Sequence, residues 1–149
     1  MIPLPTWMRR ALFATAGMNI LAAAAFVPAA GPLRALSGLP EAGHGLYLLT
    51  VGMFILIFGL GYLWAAIAGR AERLFITLAA VGKLSFFGLL VGCWAAGTVP
   101  VRLPVLGTGD LIFAMLFLAW LVSVRAPADR RSGAEPALPA DAPASRARR

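Results

Sequence analysis

Four long apolar blocks make up most of this chain, and its arginines collect in alternate gaps between them. The blocks run roughly over Ala11–Val27, His44–Ala68, Leu74–Ala96 and Leu106–Val124. Each is close to the ~20 residues with which a helix crosses the ~30 Å hydrocarbon layer of a bilayer. The expected fold class is all-α: an integral membrane four-helix antiparallel bundle with helices over about 8–27, 44–68, 72–97 and 106–124. Residues 1–125 form this transmembrane domain. Residues 126–149 are rich in Ala, Pro and Arg, carry no periodic apolar face, and are expected to form a disordered cytoplasmic tail.

Composition agrees with a bilayer rather than with water. The chain has 149 residues, of which 60% are hydrophobic and 13% charged. Soluble domains average ~45–50% apolar and ~25% charged residues. Mean hydropathy is +0.84. The formal charge of +7 does not imply nucleic acid as a partner, because the basic residues flank apolar blocks or lie in the tail instead of forming a globular basic face.

Their placement sets orientation through the excess of Lys and Arg in short cytoplasmic loops. Arg9 and Arg10 precede the first block, and Arg70 and Arg73 lie between the second and third. Arg125, Arg130, Arg131, Arg146, Arg148 and Arg149 follow the fourth, whereas the other two gaps hold only Arg34 and Arg102. Both termini are therefore expected in the cytoplasm. A second reading of the first block is a cleaved signal peptide, with small residues around Val27-Pro28-Ala29-Ala30. Its length of about 17 apolar residues and its Asn19 favour a retained helix; the intact mass distinguishes the two.

The first helix is expected to start at Trp7 and end near Pro28, since proline disfavours helix in itself and its predecessor. In the loop Gly31–Gly43, Leu33, Leu36 and Leu39 recur every third residue around Arg34. That spacing suits a short amphipathic piece at the outer interface, or a plain surface loop. Gly45, Gly52 and Gly59, seven residues apart, mark an inward face of the second helix, and Gly88, Gly92 and Ala96 a comparable row on the third. Packing within the chain is the expectation for both rows. The short turn Gly69–Arg73 makes the second and third helices neighbours. The fourth is expected to start between Pro104 and Asp110, with Gly107-Thr108-Gly109-Asp110 as its cap region. Trp64, Trp94, Trp120, Tyr47 and Tyr62 fit an aromatic belt.

Lys83 is the sharpest chemical feature. It lies ten residues past Arg73, about 15 Å into the bilayer at 1.5 Å per residue. A charged lysine near the centre of a membrane helix costs ~2.5–3.5 kcal/mol on insertion scales and implies an inward side chain with a partner or a wet cavity. By the same ruler Asn19 sits about 13–14 Å deep, a natural acceptor, with Thr15 and Ser85 as further hydroxyls. Asp110 lies about 22 Å from the cytoplasmic edge. Its first expectation is a place in the first turn of the last helix, complementing the dipole; a pair with Lys83, or a ligand role, are the others. Side chains lean toward their own helix N-terminus, which works against the pair. Lys83, Asn19 and Asp110 nonetheless form the candidate intramembrane polar cluster, and His44, Glu41 and Arg102 a candidate outer vestibule.

Several chemistries are excluded. One histidine cannot ligate a haem on both sides, and one histidine with Cys93 alone makes a poor zinc site. A lone cysteine cannot run a dithiol cycle. No phosphate loop, nucleophile elbow or intramembrane Glu is present. No cofactor and no metal is expected.

The stretches Leu39-Pro40-Glu41, Leu56-Ile57-Phe58-Gly59-Leu60-Gly61-Tyr62-Leu63-Trp64, Gly82-Lys83-Leu84-Ser85-Phe86-Phe87 and Gly109-Asp110-Leu111-Ile112-Phe113-Ala114 resemble those of small uncharacterised bacterial inner-membrane proteins. The layout is also similar to DoxX-like proteins, in architecture only. The resemblance covers roughly Met18–Val124 and implies a compact bundle in the bacterial inner membrane, with no activity attached. The expected function is a non-enzymatic accessory or scaffold bundle. Its partners are the lipid bilayer and a second copy or another membrane protein. The alternative is binding or transport of a small lipophilic or anionic molecule in a cavity around Lys83. A third reading is an enzyme with Lys83 and Asp110 as acid and base.

Overall fold

The computed structural model describes residues 1–40 and 44–132, the last eight of these as backbone alone. It is almost entirely helical, in keeping with the all-α expectation. Helix α1 spans Thr6–Ala24, a 3-10 turn covers Pro28–Ala30, and short α2 runs Gly31–Ser37. Then come α3 (Gly45–Ala68), α4 (Arg73–Ala95) and α5 (Arg102–Ser132). A minimal ladder joins β1 (Ile2–Pro3) to β2 (Arg70–Ala71), pairing Ile2 with Ala71 and Pro3 with Arg70.

Helices α3, α4 and the Arg102–Val124 part of α5 are each long and apolar enough to cross a membrane. Helix α1 reaches that standard only together with Pro28–Ser37, from which it is bent by 89°. The break has a local cause. Val27, ahead of Pro28, is extended at φ −78°, ψ 147°, the conformation that a following proline favours.

Two boundaries differ from expectation. Helix α5 begins at Arg102, and Pro104 sits in its first turn, where the missing N–H has no intrahelical partner to lose. Gly107–Asp110 therefore lie inside the helix and do not cap it. At its far end α5 continues to Ser132, past the expected stop at Val124. Residues 133–149 of the expected tail lie outside the described residues.

Inward positions recur at alternating spacings of three and four on each long helix. They are Met8, Leu12, Thr15 on α1; Leu48, Gly52, Gly59, Tyr62, Ala66 on α3; Ile76, Ala80, Lys83, Leu90 on α4; and Leu103, Gly107, Ala114, Phe117, Leu121 on α5. This is the pattern by which one stripe of a helix stays against its neighbours. The largest side chains of the core, Trp120, Phe117, Met8, Leu12 and Ile76, gather toward the end of the bundle where α3 turns into α4. Tyr62 and Trp120, expected in an aromatic belt, are instead core residues at 2% and 1% exposure. Each lies on the inward stripe of its helix, which burial at a block end does not reveal.

Helix α1 packs most closely on α3, and α4 on α5. The connection between α3 and α4 is short, but these two meet through larger side chains, Tyr62 against Phe75 with ring centroids 5.6 Å apart. Glycine sets the two close pairs. A Cβ on Gly52 would lie 2.8 Å from Phe26 Cβ, and one on Gly59 3.1 Å from Asn19 Cβ. A Cβ on Gly107 would lie 2.6 Å from Leu90 Cδ1. Among the described residues Gly45 meets nothing, and Gly88 and Gly92 face outward with open space around them. The expected intrachain packing of the Gly88–Gly92–Ala96 row is thus corrected: α4 turns its Lys83 stripe inward, and the row falls on the opposite side.

Helix ends are closed by arginine and glycine. Gly69, at φ +64°, takes the left-handed conformation that ends α3. Its carbonyl accepts from Leu4 N–H at 2.9 Å, and Arg9 Nε donates to Ala66 O in the last turn at 3.1 Å.

Gly59→Leu is expected to destabilise the bundle by about 1–3 kcal/mol through overpacking at α1. Gly88→Leu, on the open row, is expected to leave the thermal midpoint in detergent nearly unchanged. Equal midpoints for the two variants would contradict this packing.

Candidate functional site

The inward stripes place three polar side chains at one level. Lys83 follows Ile76 and Ala80 on α4, Asn19 follows Leu12 and Thr15 on α1, and Asp110 follows Leu103 and Gly107 on α5. The lysine Nζ lies 2.5 Å from Asp110 Oδ1 and 3.3 Å from Asn19 Oδ1. Asn19 in turn donates through Nδ2 to the carbonyl of Ile55 on α3 at 3.3 Å. All four long helices are joined by this chain of contacts.

Burial is nearly complete at the centre. The lysine side chain is 6% exposed and that of Asp110 19%. Tyr62 and Phe113 flank the ammonium, with ring centroids 5.6 and 5.8 Å from Nζ. Such distances permit attraction between the cation and the ring quadrupole. An ammonium has three donors and no acceptor; here two oxygens receive two of them and two aromatic rings close the sides. The lysine and the carboxylate carry opposite charges, so the site as a whole is neutral.

Asp110 corrects its first expectation. Because α5 starts at Arg102, the residue lies more than two turns inside the helix, remote from the N-terminal end of the dipole. It pairs with Lys83 despite the opposed lean of the two side chains. The flexible four-carbon stem of lysine spans the difference in depth, and leaving either buried charge alone would cost more than an unfavoured direction. Of the other hydroxyls, Ser85 is exposed on the outer side of α4. Thr15 is fully buried, and its Oγ1 has no hydrogen-bond partner among the described residues.

Of the candidate vestibule, the two described members each hold a helix end. His44 is exposed, and its Nδ1 accepts from Leu46 N–H at 3.1 Å, capping α3. Its ring stands edge-on to Tyr47, with centroids 6.1 Å apart. Arg102 donates from Nη2 to Ala35 O at 3.2 Å, tying α5 to α2. These two share no hydrogen bond, and each serves a different helix end. Glu41 lies outside the described residues. Among the described residues no group of three or more His, Cys, Asp or Glu comes together.

Sequence reasoning missed Tyr62, Phe113 and the Ile55 carbonyl. The first was readable: Tyr62 is three residues past Gly59 and lies on the same stripe. No protein-family model, curated protein or solved structure matches this chain.

Lys83→Met, which strands Asp110, is expected to lower stability by about 3–5 kcal/mol. The double variant Lys83→Met/Asp110→Leu is expected to recover most of that loss, since removing both partners leaves no unpaired charge. Detergent-denaturation midpoints of the single and double variants measure this directly. Additive losses would mean that the two residues do not act as a pair.

Proposed function

We propose that this chain is a small multi-pass protein of the bacterial inner membrane. It forms a four-helix antiparallel bundle with both termini in the cytoplasm and serves as a non-enzymatic accessory or scaffold. The observation that carries the reading is the enclosure of Lys83. Its ammonium is held by groups of the same chain, and it lines neither of the two grooves found at the end where α1 stops and α3 begins. A lysine serving as counter-charge to a small ligand needs an opening that reaches it. The alternative of transport around Lys83 has less support for that reason.

The outer surface supports the membrane part of the reading. Only 17–22% of the apolar windows of α3, α4 and α5 is buried within the bundle. Leu21, Trp64, Ile67 and Leu74 point outward at 62–75% exposure. In water such continuous apolar surface marks a site awaiting cover; hydrocarbon covers it without a partner. Trp64, Trp94 and Tyr47, all exposed, suit the belt at the two interfaces.

Two measurements test this reading. Alkaline phosphatase fused after Thr98 is expected to be active in the periplasm, and the same enzyme fused after Arg149 inactive; the reverse pattern overturns the orientation. For the function itself, protein carrying Lys83→Met/Asp110→Leu should retain the same co-purifying small molecules as the wild type by untargeted mass spectrometry. Loss of a specific polar or anionic compound from the variant would favour the cavity reading instead.

A further inference from the structure

Two open grooves lie end to end where α1 stops and α3 begins. The first, of about 400 Å³, is walled by Ile20, Ala23 and Val27 on one side and Leu49, Gly52 and Met53 on the other. No charged residue lines it. The second, of about 610 Å³, is bordered by Pro28, Gly31, Arg34, Leu39, Gly45 and Leu48. Val27 precedes Pro28 and Leu48 precedes Leu49 in the chain, so both walls continue from one groove into the next.

Arg34 is the one charged residue lining either groove among the described residues. Its guanidinium is fixed by the end of α1. Nη1 donates to Ala25 O at 2.9 Å and to Val27 O at 2.7 Å, and Nη2 to Pro28 O at 3.4 Å. A guanidinium has five N–H donors in a rigid fork. Three are used here, and among the described residues Nε–H, on the edge it shares with Nη2, has no partner. That edge matches two oxygens of a phosphate side by side. Among the described residues no carboxylate lies within salt-bridge distance of Arg34.

Resting on the membrane reading above, we infer that the paired grooves bind an anionic phospholipid. One acyl chain lies in the apolar groove between α1 and α3, and the phosphate meets that edge of Arg34. The placement is coherent on both counts. The apolar groove opens sideways from two helices whose outer faces are apolar, and Arg34 sits at their ends, at the level of headgroups. A cation there attracts anionic lipid. The carbonyls that hold the fork also keep that edge in one orientation, so little side-chain freedom is lost when the phosphate binds.

Native mass spectrometry of the full chain tests this, with phosphatidylglycerol, phosphatidylethanolamine and phosphatidylcholine of equal chain length added in equal amounts. One phosphatidylglycerol per protein is expected, retained about tenfold over phosphatidylcholine, whose phosphate meets the same edge but whose choline cation cancels its net charge and repels Arg34. Arg34→Gln should erase that preference. Because this change also removes the cap of α1, Ala23→Trp carries the test with Arg34 intact: it fills the apolar groove and should cut retention of phosphatidylglycerol about tenfold. Equal retention of the three headgroups by the wild type, or an unchanged preference in both variants, overturns the site. Competition by glycerol phosphate at equal concentration would also overturn it, by assigning Arg34 to a soluble anion. Alkaline carbonate extraction separates the two levels of the argument. A chain that stays in the membrane pellet yet shows no lipid preference refutes this site and leaves the membrane reading standing; a chain released by carbonate refutes both.

Discussion

A single ammonium group in an apolar interior governs how these helices can be arranged. Lys83 cannot turn outward on α4 without leaving the stripe that carries Ile76, Ala80 and Leu90. Facing inward, it needs oxygen acceptors, because a buried charge is tolerated only when paired and hydrogen-bonded. Asp110 on α5 neutralises it, Asn19 on α1 adds a second acceptor, and Ile55 on α3 anchors the asparagine. The same requirement therefore sets the rotation of three helices and the relative height of all four. Buried ion pairs often add little net stability over an apolar core of equal shape. What this one supplies is a register: any rotation or slide that separates the pair leaves a charge uncompensated.

Around that fixed point, packing is graded by residue size. Gly52, Gly59 and Gly107 allow α1 to approach α3, and α5 to approach α4, more closely than any side chain would permit. Between the two pairs the larger side chains Tyr62, Phe75 and Phe117 occupy the gap, with ring centroids 5.6 to 5.8 Å apart. Tyr62 serves both purposes, since its ring also flanks the lysine. The arginines at the helix ends act on backbone as well as on charge. Arg9 donates to Ala66 O in the last turn of α3, and Arg34 to Ala25 O at the C-cap of α1, carbonyls of the kind that a helix end leaves without an intrahelical partner. An arginine counted for orientation can thus be a structural cap.

Several particulars of the fold were legible from residue order, and others were not. The lengths of α3 and α4 follow from apolar blocks bounded by Gly69 and Arg73, and the break after α1 follows from Pro28. The start of α5 was misread because Gly107 and Gly109 look like punctuation, whereas proline at position 104 is tolerated in a first turn. Glycine rows are ambiguous for a physical reason: a small residue shows that something can approach, not that anything does. Gly52 and Gly59 meet α1 and the residues just after it, but Gly88 and Gly92 meet nothing among the described residues. For the polar cluster, the depth match of Lys83 with Asn19 was visible by counting along helices of known rise. The contact with Asp110 was not, since counting cannot include the reach of a flexible stem or the tilt of one helix against another.

By itself, then, residue order determined the all-helical class, the helix-breaking positions and the isolation of one lysine in an apolar segment. Those properties are set by local propensity and by the transfer energy of each side chain, which act without reference to the rest of the chain. Tertiary structure alone decided which acid pairs with Lys83, which glycines are contacts, that Tyr62 and Trp120 are core, and that Arg34 is held by backbone carbonyls beside the end of α1. Each of these depends on helix rotation, and rotation is fixed only when four helices must satisfy their buried polar groups at once.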